Sequence, residues 1–201
     1  MSPREATGVI LAGGESRRMG RDKLPLEVGN TTLLDRVHGA LALCCDEILI
    51  VGGREHTTAV PRRIPDLRPG EGPLAGIEAG LLAARHRAVF VAAGDIPFLT
   101  EDLVEYLLGL LSDGVPAVVP DFGDGSHPLC SAYGREIRPA VSAALDRGVR
   151  SVREFLRSLP NVRYVREGEL QRFGDPNLLL MNVNSPEDLR RAQKALLGGK
   201  E

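Results

Sequence analysis

The chain has 201 residues, a length that favours one domain over residues 1–201, and its 43% hydrophobic content is enough for a substantial core. Its 25 Lys and Arg against 27 Asp and Glu leave a formal net charge of −2, so any affinity for anions has to come from local placement. With 4% aromatic residues and no Trp, few platforms exist for stacking bases, and nucleic acid is excluded as the expected partner.

The opening residues MSPREATG lack a long apolar run, and no later stretch approaches the ~20 apolar residues of a membrane span. The expectation is a cytoplasmic protein that does not enter a membrane. Cys44, Cys45 and Cys130 are odd in number and lack zinc-site spacing, so they are read as reduced thiols of the core.

In chain order, residues 8–12 read as a buried strand that breaks at Gly13 and Gly14. Two residues without Cβ allow a loop that aims successive N–H groups at an anion. Arg17, Arg18, Arg21 and Lys23 follow closely, so a polyanion, most plausibly a nucleoside triphosphate, is the ligand this stretch suggests. Thr32 then caps a helix whose apolar face carries Leu33, Leu34, Val37 and Leu41. Residues 47–51, EILIV, are a strand buried on both faces and end in Gly52 and Gly53. The β-α-β unit so formed places its ligand edge beyond the carboxyl ends of its strands.

Residues 57–73 carry four prolines and read as a surface loop with at most a short strand at 63–64. Pro73 opens a helix in which Ala75, Gly76, Ala79 and Gly80 allow close backbone approach, either to the sheet alone or to a nucleotide as well. Residues 88–93 form a hydrophobic strand followed by Gly94, Asp95 and Pro97. Such an acid lies on the same edge as the first glycine loop and is suited to Mg²⁺, which uses one or two carboxylates together with substrate phosphates.

Further along, Thr100 caps a helix to about residue 111, and residues 116–119 are a strand. Turn-rich residues 121–128 lead to a short strand over 129–133, expected antiparallel, and His127 is given a loop role. Helices follow over 135–147 and from Ser151 to 159, then a strand over 162–165. Residues 178–189 suggest one more strand, two asparagines and a helix begun by Ser185 and Pro186. Alternating strands and helices predict a three-layer αβα, Rossmann-like fold with a mostly parallel sheet.

Neither a Walker A loop nor a dinucleotide GxGxxG motif is present. LAGGESRRMGRDK resembles the LAGGxSxRMGxDK signature of the molybdenum cofactor guanylyltransferases, and GPLAGI, GDIPFL, HPLCSAY and NVNSPEDL resemble later motifs of that family in the same order. The resemblance spans roughly residues 8–190. It implies the nucleotidyltransferase fold and transfer of GMP from GTP to the terminal phosphate of molybdenum-bound molybdopterin, with release of pyrophosphate. Mg²⁺ is the implied cofactor, and molybdoenzymes or their chaperones are implied downstream partners.

Carried across by motif, nucleotide binding falls on Leu11, Ala12, Gly13, Lys23, Asp66 and Asp95, and the glycine turn read from the residues adds Gly14. The metal falls on Asp95, and the acceptor side on Asn182 and Asn184. Gly94 stands where the family commonly has Cys, and Ser185 where it has Thr. The chemistry agrees with this assignment. An ionised acceptor phosphate needs no protein nucleophile, and Lys23, Asp95, Arg17 and Arg18 would stabilise charge on the leaving pyrophosphate.

Relatives that use CTP carry LAAG at the first motif, so the LAGG here favours GTP. Other readings are a cytidylyltransferase, a sugar- or isoprenoid-phosphate nucleotidyltransferase, and a non-catalytic nucleotide-binding regulatory module. Retention of Lys23 and Asp95 together counts against the last.

Overall fold

The structure is a computed structural model that describes residues 5–13, 24–53, 62–123 and 125–198. Strands β1 (Ala6–Leu11), β4 (Glu47–Val51) and β6 (Ala88–Ala93) are buried along their whole length. Their unbroken apolar sequences follow from having helices on both faces. β1 pairs in parallel with β4 on one side and β6 on the other. β5 (Arg62–Ile64) extends the sheet in parallel beyond β4. Past β6 come β9 (Cys130–Gly134), β7 (Ala117–Phe122) and β10 (Arg163–Arg166), giving the order β10-β7-β9-β6-β1-β4-β5. β9 runs antiparallel to both neighbours, as its turn-rich approach predicts, and β8 (Gly125–Ser126) pairs with the end of β7.

Side chains alternate across this sheet with period two and divide the interior into two cores. Ile10, Ile48, Ile50, Phe90 and Ala92 pack beneath α1 (Leu33–Cys44) and α3 (Glu101–Gly109). Val9, Leu11, Leu49, Val51, Val89 and Val91 pack beneath α2 (Pro73–Ala83), α4 (Arg138–Asp146) and α5 (Val152–Ser158). These are the three layers expected from the sequence. A smaller core joins the hairpin of β2 (Glu27–Val28) and β3 (Thr31–Thr32) to the C-terminal helix through Val28, Leu33, Val183 and Ala192.

The caps are the predicted ones. The Thr32 hydroxyl accepts from the Asp35 N–H at 3.1 Å, and the Thr100 and Ser151 hydroxyls accept from Leu103 and Glu154 at 3.4 and 3.3 Å. Each such cap is worth about 1 kcal/mol. Cys44, Cys45 and Cys130 are buried free thiols. Burial pushes each of them up to about 12, with help from Glu105 at Cys44 and from Cys44 at Cys45.

The structure differs from the sequence reading near the C-terminus. The apolar run at 178–181 is no strand. Asp175 caps a short helix, α7 (Pro176–Leu179), by accepting from the Asn177 N–H at 3.0 Å. Residues 181–184 then cross the sheet edge without a ladder, and the Val183 N–H goes to the Asp95 carbonyl at 2.9 Å. An unforeseen helix, α6 (Glu167–Leu170), precedes α7, and the helix expected from Arg135 opens with a 3-10 turn, Arg135–Ile137. α8 (Pro186–Gly198) forms where Ser185 and Pro186 predict it, and the Ser185 hydroxyl accepts from the Asp188 N–H at 3.1 Å.

Candidate active site

From β1 the chain moves through α1 to β4 and β5, then returns beneath the other face through α2 to β6. The direction of travel therefore reverses between β1 and β6, and a crevice opens beyond the carboxyl ends of those strands. The crevice floor is backbone. Gly94 N–H donates to the Leu11 carbonyl at 3.1 Å, Ala12 N–H to Val51 at 2.9 Å and Gly52 N–H to Ile64 at 3.0 Å. Hydrogen bonds thus continue across the strand ends of β6, β1, β4 and β5 after the ladder itself has stopped.

Two glycine turns meet here. Gly52 and Gly53 have φ of 70° and 73°, which only glycine adopts at low cost. A Cβ on Gly53 would stand 2.8 Å from the Ala12 Cβ, and one on Gly52 would stand 3.3 Å from the Gly13 Cα. Arg63 fixes the second turn by donating from Nη1 to the Gly52 carbonyl at 2.6 Å. Gly13 itself is exposed, and among the described residues nothing lies within 4 Å of a Cβ built there. Its backbone is accessible to a ligand.

α2 lies antiparallel to β1 directly beneath this floor. A Cβ on Gly80 would stand 2.6 Å from Val9 Cγ1, and one on Gly76 would stand 3.1 Å from Leu11 Cδ2. Four residues of helix therefore match two of strand, about 6 Å in each case. One turn further back on α2 is its N-cap, Gly72, whose carbonyl accepts from the Ala75 N–H at 3.2 Å. Gly72 offers no side-chain cap, and Pro73 occupies the first turn.

Asp66 lies in the loop leading to that turn and is half-buried. Its Oδ1 accepts from the Arg68 N–H at 3.0 Å, so one oxygen shapes the loop. Arg68 anchors the loop from the other side, donating to Glu78 at 2.9 Å and to Asp146 at 2.7 Å. Glu71 is bound to Arg150 at 3.1 Å. This network ties residues 66–72 to α2 and α4.

Asp95 follows β6 by two residues and is 7% exposed. The segment 182–184 is fastened to it through the Val183 N–H, and Val183 is itself buried in the small core. Asn182 and Asn184 thus flank a buried anchor beside Asp95. Asn182 Nδ2 reaches the Leu180 carbonyl at 3.4 Å, and the Asn184 N–H donates to Asp188 at 3.0 Å.

Next to Asp95, on the β9 side of the edge, lies a cavity of about 240 Å³. Ile96, Pro128, Leu129, Cys130 and Leu180 give it apolar walls, and His127, Arg153 and Asn182 supply its polar groups. His127 Nε2 is 3.0 Å from the Phe122 carbonyl. A carbonyl only accepts, so this nitrogen carries a proton. The His127 carbonyl accepts from Ser131 Oγ at 2.8 Å, and the Tyr133 hydroxyl donates to the Pro128 carbonyl at 2.7 Å. The loop role given to His127 is thus observed, with a place in the cavity wall added. Arg166 of β10 pairs with Asp121 of β7.

Of the residues singled out in the sequence, Leu11, Ala12, Gly13 and Asp95 come together at the crevice, with Asn182 and Asn184 beside Asp95 and Asp66 in the loop before α2. Gly14, Arg17, Arg18 and Lys23 lie outside the described residues. Sequence reasoning missed Arg63, Arg68 and Arg153. Arg63 and Arg68 had a usable signal, arginines in and just after a short strand that precedes a glycine-containing helix. Arg153 had none.

A mostly parallel sheet whose order reverses between β1 and β6, with glycine turns and an aspartate at the reversal, defines an α/β protein of the nucleotidyltransferase fold. Residues 8–162 match the model of the MobA-like NTP transferase domain. A probable molybdenum cofactor guanylyltransferase of Pelotomaculum thermopropionicum is 39% identical over 94% of this chain and 92% of its own. A molybdenum cofactor guanylyltransferase of Desulfosudis oleivorans is 34% identical over 96% and 97%. The crystal structure of molybdopterin-guanine dinucleotide biosynthesis protein A from Archaeoglobus fulgidus superposes with a TM-score of 0.81 at 26% identity, covering 96% of this chain and 99% of that one. The chain belongs to the MobA-like NTP transferase family.

Proposed function

We propose that the protein transfers GMP from GTP to the terminal phosphate of molybdopterin, forming the guanine dinucleotide cofactor. The observation that carries this reading is the juxtaposition of the glycine floor at Ala12 and Gly13 with Asp95 and the 182–184 segment, in a chain similar to guanylyltransferases along nearly its whole length. An oxygen of the acceptor phosphate forms a bond to the α-phosphorus of GTP. The bond from that phosphorus to the bridging oxygen breaks, and pyrophosphate leaves with the electron pair.

The protein's part is to hold two mutually repelling anions in line and to meet the growing negative charge. The backbone at Gly13 offers its N–H to the donor phosphates. Asp66 and the loop braced by Arg68 border the donor side. Asn182 and Asn184 border the acceptor. Lys23, Arg17 and Arg18, which follow Gly13 in the sequence, would meet the departing pyrophosphate. No side chain need remove a proton, because the attacking phosphate is already ionised.

The donor set suits Mg²⁺. Asp95 is a hard oxygen ligand at the crevice, and among the described residues no group of three or more His, Cys, Asp or Glu could hold an ion unaided. An ion that takes one carboxylate and completes its shell with water and substrate phosphates meets both facts. When bound, it neutralises charge on the phosphate oxygens. The product is expected to pass to molybdoenzymes or their chaperones. Among the described residues no helix is long and apolar enough to cross a membrane, which accords with a cytoplasmic place of work.

The test is to incubate purified protein with Mg²⁺, molybdopterin and either GTP or CTP, and to follow pyrophosphate release and the mass of the pterin product. Product heavier by one GMP unit, formed with GTP and not with CTP, is expected. Transfer from CTP alone would overturn the assignment of the base.

A further inference from the structure

The loop at 66–72 and the wall beyond β6 are held by different elements, and one ion pair joins them. Arg68 fixes the loop from within. Its N–H goes to Asp66, and its guanidinium reaches Glu78 of α2 and Asp146 at the end of α4. The link out of the loop is Glu71, whose Oε1 stands 3.1 Å from Arg150 Nη2. Beside it, a Cβ on Gly72 would stand 3.7 Å from the Arg150 carbonyl oxygen, so the N-cap of α2 touches the segment between α4 and α5.

Arg150 is placed as a bracket. Its Nη1 donates to the Leu145 carbonyl at 2.7 Å and to the Val149 carbonyl at 3.2 Å, which fixes the guanidinium on the end of α4 while Nη2 faces Glu71. The next residue, Ser151, caps α5 by accepting from the Glu154 N–H at 3.3 Å, and Arg153 in its first turn donates from Nε to the Ser126 carbonyl at 3.0 Å. Ser126 adjoins His127 of the cavity wall. Contacts therefore run from the donor loop through Glu71, Arg150 and the start of α5 to the wall beyond β6. Stability does not account for the pair. The Arg150 and Glu71 side chains are 42% and 32% exposed, and ion pairs so close to water contribute little. Glu71 Oε2 is buried and among the described residues has no hydrogen bond, with Arg68 Nη1 3.9 Å away. A buried acceptor left unpaired is destabilising, and such groups are kept where placement matters more than stability.

We infer that Glu71 and Arg150 are positioning residues for the transfer, which hold the donor loop against α5 and so set the separation of the two substrates while binding neither. The inference rests on the guanylyltransferase reading for which two anions are brought together. In-line attack tolerates little error of placement, and a displacement of about 1 Å caused far from the chemistry can cost about a hundredfold in rate. Each ligand side keeps its own support when the brace is lost. Arg68 still shapes the donor loop, and the Val183 N–H still fastens residues 182–184 to the Asp95 carbonyl. Loss of the brace is therefore read in the rate and in neither affinity.

The test compares wild type with Glu71→Ala, Glu71→Gln, Arg150→Met and the double variant of Glu71→Ala with Arg150→Met, by GMP transfer to molybdopterin, GTP titration and thermal melting. Glu71→Ala is expected to lower kcat about ten- to a hundredfold, with the Kd for GTP and the KM for molybdopterin unchanged. Its Tm should be equal or higher, because the unpaired oxygen goes with the side chain. Glu71→Gln keeps an acceptor for Arg150 Nη2 and should recover most of the rate. The double variant should be no slower than Arg150→Met, since both changes remove one contact. An unaltered kcat in Glu71→Ala, a rate loss that follows weakened GTP binding, failure of Glu71→Gln to recover, or additive losses would each overturn the inference. Hydrogen exchange adds a readout that needs no turnover. GTP should protect the amides of residues 147–153 in wild type and not in Glu71→Ala, and absent or equal protection in the two would overturn the brace. A wild type that transfers no GMP, yet shows Glu71-dependent protection with GTP or CTP, would keep the brace and sink the proposed reaction. Transfer of GMP at full rate by Glu71→Ala would keep the reaction and sink the brace.

Discussion

The two halves of the carboxyl edge are built from different materials. On the donor half, between β5 and β6, the working surface is main chain. Gly13 is exposed, and Gly52 and Gly53 turn with positive φ against it. On the acceptor half, beyond β6, the surface is side chain, with His127, Arg153 and Asn182 set among apolar walls. A triphosphate is the same in every nucleotide and can be held by backbone donors, whereas an acceptor has to be told from its rivals by particular groups. The division of material follows the division of labour.

Asp95 stands between the halves, and its replacement should have the largest effect. Asp95→Asn is expected to lower the rate of GMP transfer by about 10²- to 10³-fold while GTP still binds, as measured by steady-state kinetics beside a binding titration. Full activity would remove the aspartate from the reaction and dissolve the comparison. Next comes Gly53→Ala, which adds a methyl 2.8 Å from the Ala12 Cβ at a φ of 73°. Strain and clash together should cost about 1–3 kcal/mol of stability and weaken GTP, leaving pterin binding alone. Equal damage to both ligands would mean the two halves are not separable.

A control lies at the opposite edge of the sheet. Glu47 opens β4 and is as buried as Asp95, at 6% exposed, but it accepts from the Thr7 hydroxyl at 2.8 Å and the Arg85 N–H at 2.8 Å and pairs with the Arg85 guanidinium at 3.0 Å. Burial pushes its carboxyl up, and these donors outweigh burial and hold it below the usual range. Its folded-state value is depressed, so its contribution to stability is complete above the unfolded carboxyl value and is lost as pH falls through the folded one. Glu47→Gln should cost about 1–3 kcal/mol at neutral pH, flatten the acid limb of the stability curve, and leave the KM for GTP unchanged. A changed KM would mean that burial alone, without position on the sheet, marks a functional carboxylate. The smallest effect is expected from thiol reagents. With all three cysteines buried and near 12, native protein at pH 7 should resist alkylation and lose no activity.

The same division explains what the sequence disclosed. Main-chain surfaces leave glycines behind, so Gly13, the pair Gly52 and Gly53, and the Gly94-Asp95 step were readable as a ligand edge from local pattern alone. The alternation of buried strands fixed the layers in the same way. The acceptor half left no local mark. Arg153 reaches the cavity from α5, 26 residues after His127 and 29 before Asn182, and only tertiary packing joins them. The run at 178–181 misled because a short apolar stretch serves a buried helix as well as a strand, and periodicity over four residues cannot separate them. The Asp175 cap and the Pro176 that follows it were the cues that should have decided it.

The most direct measurement is a crystal structure of the protein soaked with GTP and Mg²⁺. The account predicts the triphosphate over Ala12 and Gly13, its α-phosphate facing Asp95 and the 182–184 segment, with the base beside the loop at 66–72 and the His127–Arg153 cavity left to the acceptor. A nucleotide whose base enters that cavity, or whose phosphates lie away from Gly13 and Asp95, would contradict it.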